Sequence, residues 1–176
     1  MNMHHIIITG ASRGIGHATA LLYASMGWNI SICSRHCDYQ MTQTQDAITA
    51  AGGQYFSFCG DMGNAADAEE FLAKAVQTFG TPEILVNNAG ISHIGLLQDM
   101  TPMQWDDIIR TNLSSVFYTS RVIIPYFLQE KHGRIINVSS VWGSVGASTE
   151  VAYSTTKGGI NAFTKALAKE LAPSGI

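Results

Sequence analysis

Charge is scarce in this sequence. Asp, Glu, Lys and Arg make up only 13% of its 176 residues, ten basic against thirteen acidic. A net charge of -3 and a pI near 6.0 leave no basic stripe for a phosphate backbone, so nucleic acid is not expected as a partner. Long apolar runs are missing too: none approaches the ~18 residues that suggest a membrane span. Strand-like residues begin almost at once, which leaves no room for a signal peptide. A cytoplasmic chain with no membrane partner is expected. Cysteine is limited to Cys33, Cys37 and Cys59. The count is odd and two of the three lie in apolar strand-like runs, which argues against a disulfide framework and for buried reduced thiols. His36 and Cys37 stand side by side near Cys33, but no second pair at ligand spacing follows, so no metal is expected.

What is present is apolar. Hydrophobic residues reach 46%, enough for one substantial core but short for two, so residues 1-176 are expected to form a single domain. Short apolar runs predict strands over His4 to Ile8, Asn29 to Ser34, Gln54 to Cys59, Glu83 to Val86 and Arg134 to Val138. Several are continuous rather than alternating, as in strands covered on both faces. Between them, helical spacing runs from Ile15 to Met26, Gln40 to Ala51, Ala65 to Phe79, Pro102 to Gln129 with a break near Asn112, and Tyr153 to Leu171. The alternation predicts an α/β fold, a doubly wound parallel sheet in three layers. Gly27, Gly52-Gly53 and Gly80 close the first three helices. Pro125 predicts a kink or an end late in the fourth helical pattern. Leu171 to Gly175 reads as a helix terminus, which makes Ile176 the expected start of a further strand.

The first strand is followed by Thr9-Gly10-Ala11-Ser12-Arg13-Gly14-Ile15-Gly16, which opens the first helix. Glycines there allow a tight turn, let the backbone approach a pyrophosphate and pack helix closely on strand, while the helix start presents free N-H groups to an anion. The spacing is G-x-x-x-G-x-G rather than G-x-G-x-x-G. The second strand ends at Ser34-Arg35, where this architecture reads the adenosine ribose. An acidic side chain would accept from a 2'-hydroxyl; Arg35, helped by Arg13, favours a 2'-phosphate and so NADP. Read without that context, both arginines are solvated surface cations.

Tyr153 and Lys157 stand four residues apart, which puts a phenol and an ammonium on one helical face, where the cation favours phenolate. Alone, that spacing is common on amphipathic helices. Together with the glycine turn, with Asn87-Asn88-Ala89-Gly90 after the fourth strand, with Asn112 in Thr111-Asn112-Leu113-Ser114-Ser115, and with Ser139-Ser140 after the fifth, the chain resembles the short-chain dehydrogenase/reductase family. The resemblance runs from Ile6 to Ile176 and is greatest to 3-oxoacyl-[acyl-carrier-protein] reductases.

That resemblance implies a Rossmann fold and an NADPH-dependent oxidoreductase that reduces a carbonyl, a 3-oxoacyl thioester or another ketone, to a secondary alcohol. It makes Tyr153 the proton donor, Lys157 the holder of the nicotinamide ribose hydroxyls, Ser140 the hydroxyl that stabilises developing charge on the carbonyl oxygen, and Asn112 the support of a water-linked proton relay. It assigns NADP(H) to Gly10, Ser12, Arg13, Gly14, Ile15, Gly16, Arg35, Asp61, Met62, Asn88, Ala89 and Gly90 as well as Tyr153 and Lys157. Without it, Asp61 reads equally as a cap or turn residue and Asn87 as structural. The substrate cleft is expected between Ile91 to His93 and Val141 to Glu150, with His93 and Trp142 beside Ser140 and Tyr153. The resemblance also implies a homo-oligomer, dimer or tetramer, through the helix after Asn112 and the one carrying Tyr153. Family members continue through a further strand, a mobile substrate-covering segment and a last strand. If these 176 residues are the complete molecule, carbonyl reduction is expected to be weak or undetectable; a catalytically impaired NADP(H)-binding or hetero-oligomeric subunit is the alternative.

Overall fold

The computed structural model describes residues 4-176. Strands β1 (His5–Thr9), β2 (Asn29–Ser34), β3 (Gln54–Cys59), β4 (Ile84–Asn87) and β5 (Arg134–Asn137) form one sheet in the order β3-β2-β1-β4-β5. Every neighbouring pair is parallel. Helices α1 (Gly14–Ser25), α2 (Tyr39–Ala50), α3 (Ala65–Phe79), α4 (Pro102–Ile109), α5 (Ser115–Glu130), α6 (Trp142–Val145) and α7 (Val151–Leu171) supply the connections and covering layers. The expected doubly wound α/β architecture is present.

The continuous apolar strands have a simple cause. Successive side chains of a strand point to opposite faces, and here both faces are covered. Ile6, Ile8, Ile30 and Ile32 pack with Ala20, Ala24, Met41 and Ile48 of α1 and α2. Ile7, Cys33 and Leu85 face the other way, onto Phe71 and Leu72 of α3 and Ile123 and Phe127 of α5. Strand β3, at the sheet edge, departs from this pattern, with Gln54, Tyr55 and Cys59 exposed. Among the described residues, no helix is long and apolar enough to cross a membrane.

One buried polar pair near the start of β1 has a pH consequence. His5 is fully enclosed, its Nδ1 2.9 Å from the Gly80 carbonyl and its Nε2 2.8 Å from Ser31 Oγ. Burial pulls its pKa down to about 4, opposed in part by the Gly80 hydrogen bond. An unfolded histidine protonates near 6.5. As pH falls from 6.5 towards 4, the unfolded chain therefore takes up a proton that the fold refuses. Stability should drop by on the order of 3 kcal/mol across that window. Urea unfolding at pH 7 and pH 4.5 should show the loss, and His5→Gln should flatten it; an equal pH slope in the variant would assign the loss to other groups.

Two expectations need correction. Of the kink or end expected at Pro125, the end does not occur: α5 runs through it to Glu130. Both Pro125 and Arg121, the residue whose carbonyl loses its partner, are exposed, so water can accept the role of the missing N-H. Cysteine pairing also differs from the expectation of reduced thiols. Cys37 and Cys59 form a disulfide, with Cα atoms 5.7 Å apart, and only Cys33 is a buried thiol. The β2-β3 register sets Ser34 opposite Cys59, and three residues of loop bring Cys37 across. The break expected near Asn112 is a π turn, Arg110–Ser114, joining α4 to α5.

Candidate active site

The strand order places β1 between β2 and β4, so the chain after β1 and the chain after β4 leave the sheet on either side of one crevice, where such folds bind ligands. Gly10 turns there with φ +66°, and a Cβ on it would lie 2.7 Å from the Ala89 Cα. Gly16 brings α1 against the same wall: its Cβ would lie 2.6 Å from the Gly10 carbonyl oxygen and 2.7 Å from Asn88 Nδ2. Gly14 differs. It has φ +60° and a Cβ there would meet nothing within 4 Å. The two walls are bonded together, because Asn88 Nδ2 donates to the carbonyls of Thr9 (3.0 Å) and Gly10 (2.8 Å). Thr9 Oγ1 in turn accepts from the N-H groups of Asn88 and Ala89.

At its start α1 carries no side-chain cap, whereas α2, α3 and α4 are capped by Asp38, Asn64 and Thr101. Its first N-H groups are thus left for an anion. They open onto a cleft of about 590 Å³, bounded by the glycine loop, by Ser34 to His36 after β2, by Gly60 to Gly63 after β3, by Asn88 to Ile91 after β4, and by Thr111. Loop residues of four strands meet at its floor.

Four arginine and aspartate side chains order the far end. Asp61 Oδ1 accepts from the Gly63 N-H at 2.9 Å and Oδ2 from Arg110 Nη1 at 2.5 Å. Arg35 Nε stands 3.6 Å from the same oxygen, while its Nη2 donates to Thr111 Oγ1 at 2.7 Å. Partial burial raises the Asp61 carboxyl, but the Arg110 and Gly63 hydrogen bonds and the two guanidinium charges outweigh it and hold the group below the usual carboxylate range. Arg110 also binds Asp107 at 2.6 Å. Arg35, though exposed, is therefore held at the cleft by Asp61 and Thr111.

Beyond β4 and β5, α7 carries Tyr153 and Lys157. Lys157 is buried, and its Nζ donates to the Val138 carbonyl at 2.7 Å. That is its one protein acceptor among the described residues, so two of its three N-H donors remain for other partners. Burial lowers its pKa from the ordinary lysine value. The ammonium sits 5.6 Å from the centre of the Tyr153 ring and 3.7 Å from where a Gly90 Cβ would stand. It thus joins the tyrosine to the wall of the cleft. Ser140 Oγ accepts the Trp142 N-H at 3.2 Å and keeps its own proton to donate. Its neighbour differs: Ser139 Oγ is spent on the Lys157 carbonyl at 3.1 Å. Gly143 lets the short α6 lie on α7, since a Cβ there would fall 2.6 Å from the Lys157 carbonyl carbon.

Asn112, fully buried in the π turn, accepts from the Ile91 N-H and donates to the Ile91 carbonyl, both at 2.8 Å, and reaches Thr156 Oγ1 at 3.2 Å. Its side chain clamps the post-β4 segment onto α7. That segment is tied again further out, by Ser92 Oγ to Glu150 Oε2 at 2.8 Å and by the Gly95 N-H to the Thr149 carbonyl at 2.9 Å. Both sides of the expected substrate cleft are therefore bonded to each other.

The short chain dehydrogenase family profile matches residues 4–176, which include the glycine turn, Asn88, Asn112, Ser140, Tyr153 and Lys157. The chain belongs to the short-chain dehydrogenase family. Among its relatives, the 3-oxoacyl-[acyl-carrier-protein] reductase FabG of Staphylococcus aureus is 38% identical over 170 residues, 97% of this chain and 69% of that protein. The D-beta-hydroxybutyrate dehydrogenase of Cupriavidus necator is 38% identical over 176 residues, all of this chain and 68% of that one. A metagenomic short-chain oxidoreductase solved in complex with NADP superimposes with a TM-score of 0.92 at 32% identity, over 97% of this chain and 76% of the other.

In this short-chain dehydrogenase the residues named from sequence, apart from the buried Asn112 already described, fall into three groups. Gly10, Ser12, Arg13, Gly14, Arg35, Asp61, Met62, Asn88, Ala89 and Gly90 border the cleft. Ile15 and Gly16 do not: Ile15 is 61% exposed beside the cleft, and Gly16 packs α1 against the sheet. Ser140, Tyr153, Lys157, Trp142 and His93 do not border it: Lys157 reaches its wall at Gly90 with the Tyr153 ring beside it, Ser140 bonds the Trp142 N-H at the exposed α6, and His93 is half-buried against Gly95. Thr9, Arg110, Thr111 and Thr156 carry contacts that the sequence reading gave to none of them, and Glu150, named there only as a bound of the cleft, is its tie to Ser92. Thr9, Thr111 and Thr156 stand beside Gly10, Asn112 and Lys157 in the motifs, which is the available signal; Arg110 has none. Asn87 is structural, as one reading had it: it bonds Thr119 of α5 and Asn137 of β5, and Asn137 bonds Thr164 of α7.

Proposed function

We propose that the protein is an NADP(H)-dependent reductase that converts the ketone of a 3-oxoacyl thioester, or of another small carbonyl compound, to a secondary alcohol. The observation that carries this reading is Lys157. It is a buried ammonium with two free donors, set between the Tyr153 ring and the Gly90 wall of the cleft. The residues present fit the cofactor: the uncapped α1 start suits a pyrophosphate, Gly14 leaves open space at the turn, and Arg35 with Arg13 offers charge to a 2'-phosphate. When bound, NADPH supplies the hydride.

The chain's own residues do the rest. Tyr153 donates a proton from its hydroxyl to the carbonyl oxygen, and takes it back in the reverse direction. The Lys157 ammonium stabilises the phenolate left behind, and its remaining N-H donors hold ribose hydroxyls. Ser140 donates to the carbonyl oxygen as charge develops. Asn112 holds Ile91, and with it the cofactor-side wall, against α7. We place the molecule in the cytoplasm as a single domain that self-associates through α5 and α7, where Phe117, Leu128 and Val151 are exposed.

The cofactor assignment is checked by titrating NADPH and NADH against the parent protein and Arg35→Ala. A charged contact to the 2'-phosphate makes the variant lose roughly tenfold or more in NADPH affinity with little change for NADH. Equal affinities for the two cofactors in the parent would overturn it. A panel of 3-oxoacyl thioesters and small ketones then reads the substrate class.

A further inference from the structure

We propose that Cys37 and Cys59 form a reversible redox clamp on the adenosine-phosphate end of the cleft. The inference rests on the cofactor reading above. Cys37 lies two residues beyond Arg35, in the loop joining β2 to α2, and Cys59 ends β3 directly before Gly60 and Asp61. His36 and Asp38 on one side, and Gly60 and Asp61 on the other, border the same cleft. The disulfide therefore joins two of its walls, with Cα atoms 5.7 Å apart, as such bridges require.

Position separates this pair from the third cysteine. Cys37 and Cys59 are both exposed, so small disulfides and thiols can reach them. Cys33, a residue of β2, is fully buried in the core, its thiol pushed up to about 12 by burial against a weaker opposing Gly10 hydrogen bond. Thiolate and access together govern exchange, so Cys33 is inert where the pair is reactive.

Closure proceeds by exchange with a low-molecular-weight disulfide such as glutathione disulfide. The thiolate of one cysteine attacks a sulfur of that disulfide, forming a mixed disulfide and expelling one thiolate. The second protein thiolate then attacks the protein-bound sulfur and expels the other. Two protein thiols are oxidised, one external disulfide becomes two thiols, and the two protein protons pass to the departing sulfurs. Glutathione in excess reverses each step.

Closed, the bridge holds residues 35–38 against the end of β3, and with them the backbone that carries Arg35. Open, the loop keeps its own ends, through Ser34 Oγ to the His36 carbonyl and Asp38 to the α2 start, but loses its covalent tie to the opposite wall. A loop ordered in advance costs less to bind. The oxidised protein should bind NADPH about three- to tenfold more tightly than the reduced one, and NADH, which lacks the 2'-phosphate, should respond less.

The test equilibrates the full chain in glutathione buffers of increasing oxidation. Alkylation and peptide mass spectrometry follow Cys37, Cys59 and Cys33, and NADPH and NADH affinities are read by fluorescence for each form and for Cys37→Ser. Support is a linked Cys37–Cys59 peptide that appears and disappears with the buffer, a free Cys33 throughout, tighter NADPH binding when linked, and no redox response in the variant. Free thiols on both cysteines under oxidising buffer would overturn the clamp. So would linkage with unchanged NADPH affinity, an equal shift for NADH, or a variant that still responds. Failure to bind NADPH in either state, Cys37→Ser included, would instead sink the cofactor reading and the clamp's consequence with it, leaving the linked peptide as a structural bridge only.

Discussion

Tyr153→Phe should abolish most carbonyl reduction, lowering turnover by about 10²- to 10⁴-fold, the usual contribution of a positioned proton donor, while NADPH affinity stays unchanged. The phenyl ring keeps the packing and the face it offers to the Lys157 ammonium, 5.6 Å away, so only the hydroxyl is lost. Lys157 keeps its bond to the Val138 carbonyl and its place beside Gly90. The change therefore separates proton transfer from binding. Steady-state rates with a 3-oxoacyl thioester, set beside NADPH fluorescence titration, check both halves. A variant that reduces the substrate at the parent rate would remove Tyr153 from the reaction. One that loses NADPH affinity together with rate would make the tyrosine a structural support of the cleft.

Gly10→Ala should lose cofactor binding and about 3 kcal/mol of stability, a fall in Tm of about 6 to 12 °C for a chain of this size. Two costs add. A left-handed backbone at φ +66° costs an L side chain ~1–2 kcal/mol. The new Cβ would also stand 2.7 Å from the Ala89 Cα, and that backbone cannot retreat easily, because the Ala89 N-H is bonded to Thr9 Oγ1 and Asn88 holds the Gly10 carbonyl. Gly14→Ala is the matched control. It carries the same kind of φ but has open space around its Cβ, so it should lose only the conformational part. Thermal unfolding of the two variants decides the matter: equal losses would mean that contact with Ala89 contributes nothing.

Much of the fold could be read along the chain because its signals are local. Strand β3 and helix α3 fall where apolar spacing put them, and the glycines at 27, 52 and 80 take positive φ at helix ends. Boundaries elsewhere moved by a residue or two, since a helix end depends on capping as much as on periodicity. Whether Pro125 ends its helix depends on which way the freed carbonyl faces, and spacing alone does not say. The Cys37–Cys59 bridge misled for a related reason. An odd count in apolar runs describes solvent preference, whereas the bridge follows from β2 pairing with β3 in a particular register.

The same division runs through the site. Tyr153 and Lys157 share a helical face, and Gly10, Gly14 and Gly16 open a helix after a strand; both relations span a few residues, so the sequence determines them. It also determines that alternating strands and helices must stack in layers, because each apolar strand needs cover on two faces. Only the tertiary structure decided what those residues meet. Arg110 and Asp61 are 49 positions apart, Asn112 reaches Ile91 across 21, and Arg35 turns inward to Thr111 across 76. Such contacts arise from strand order and from the angle at which helices settle on the sheet. Those are set by packing summed over the whole core, and no local spacing encodes them.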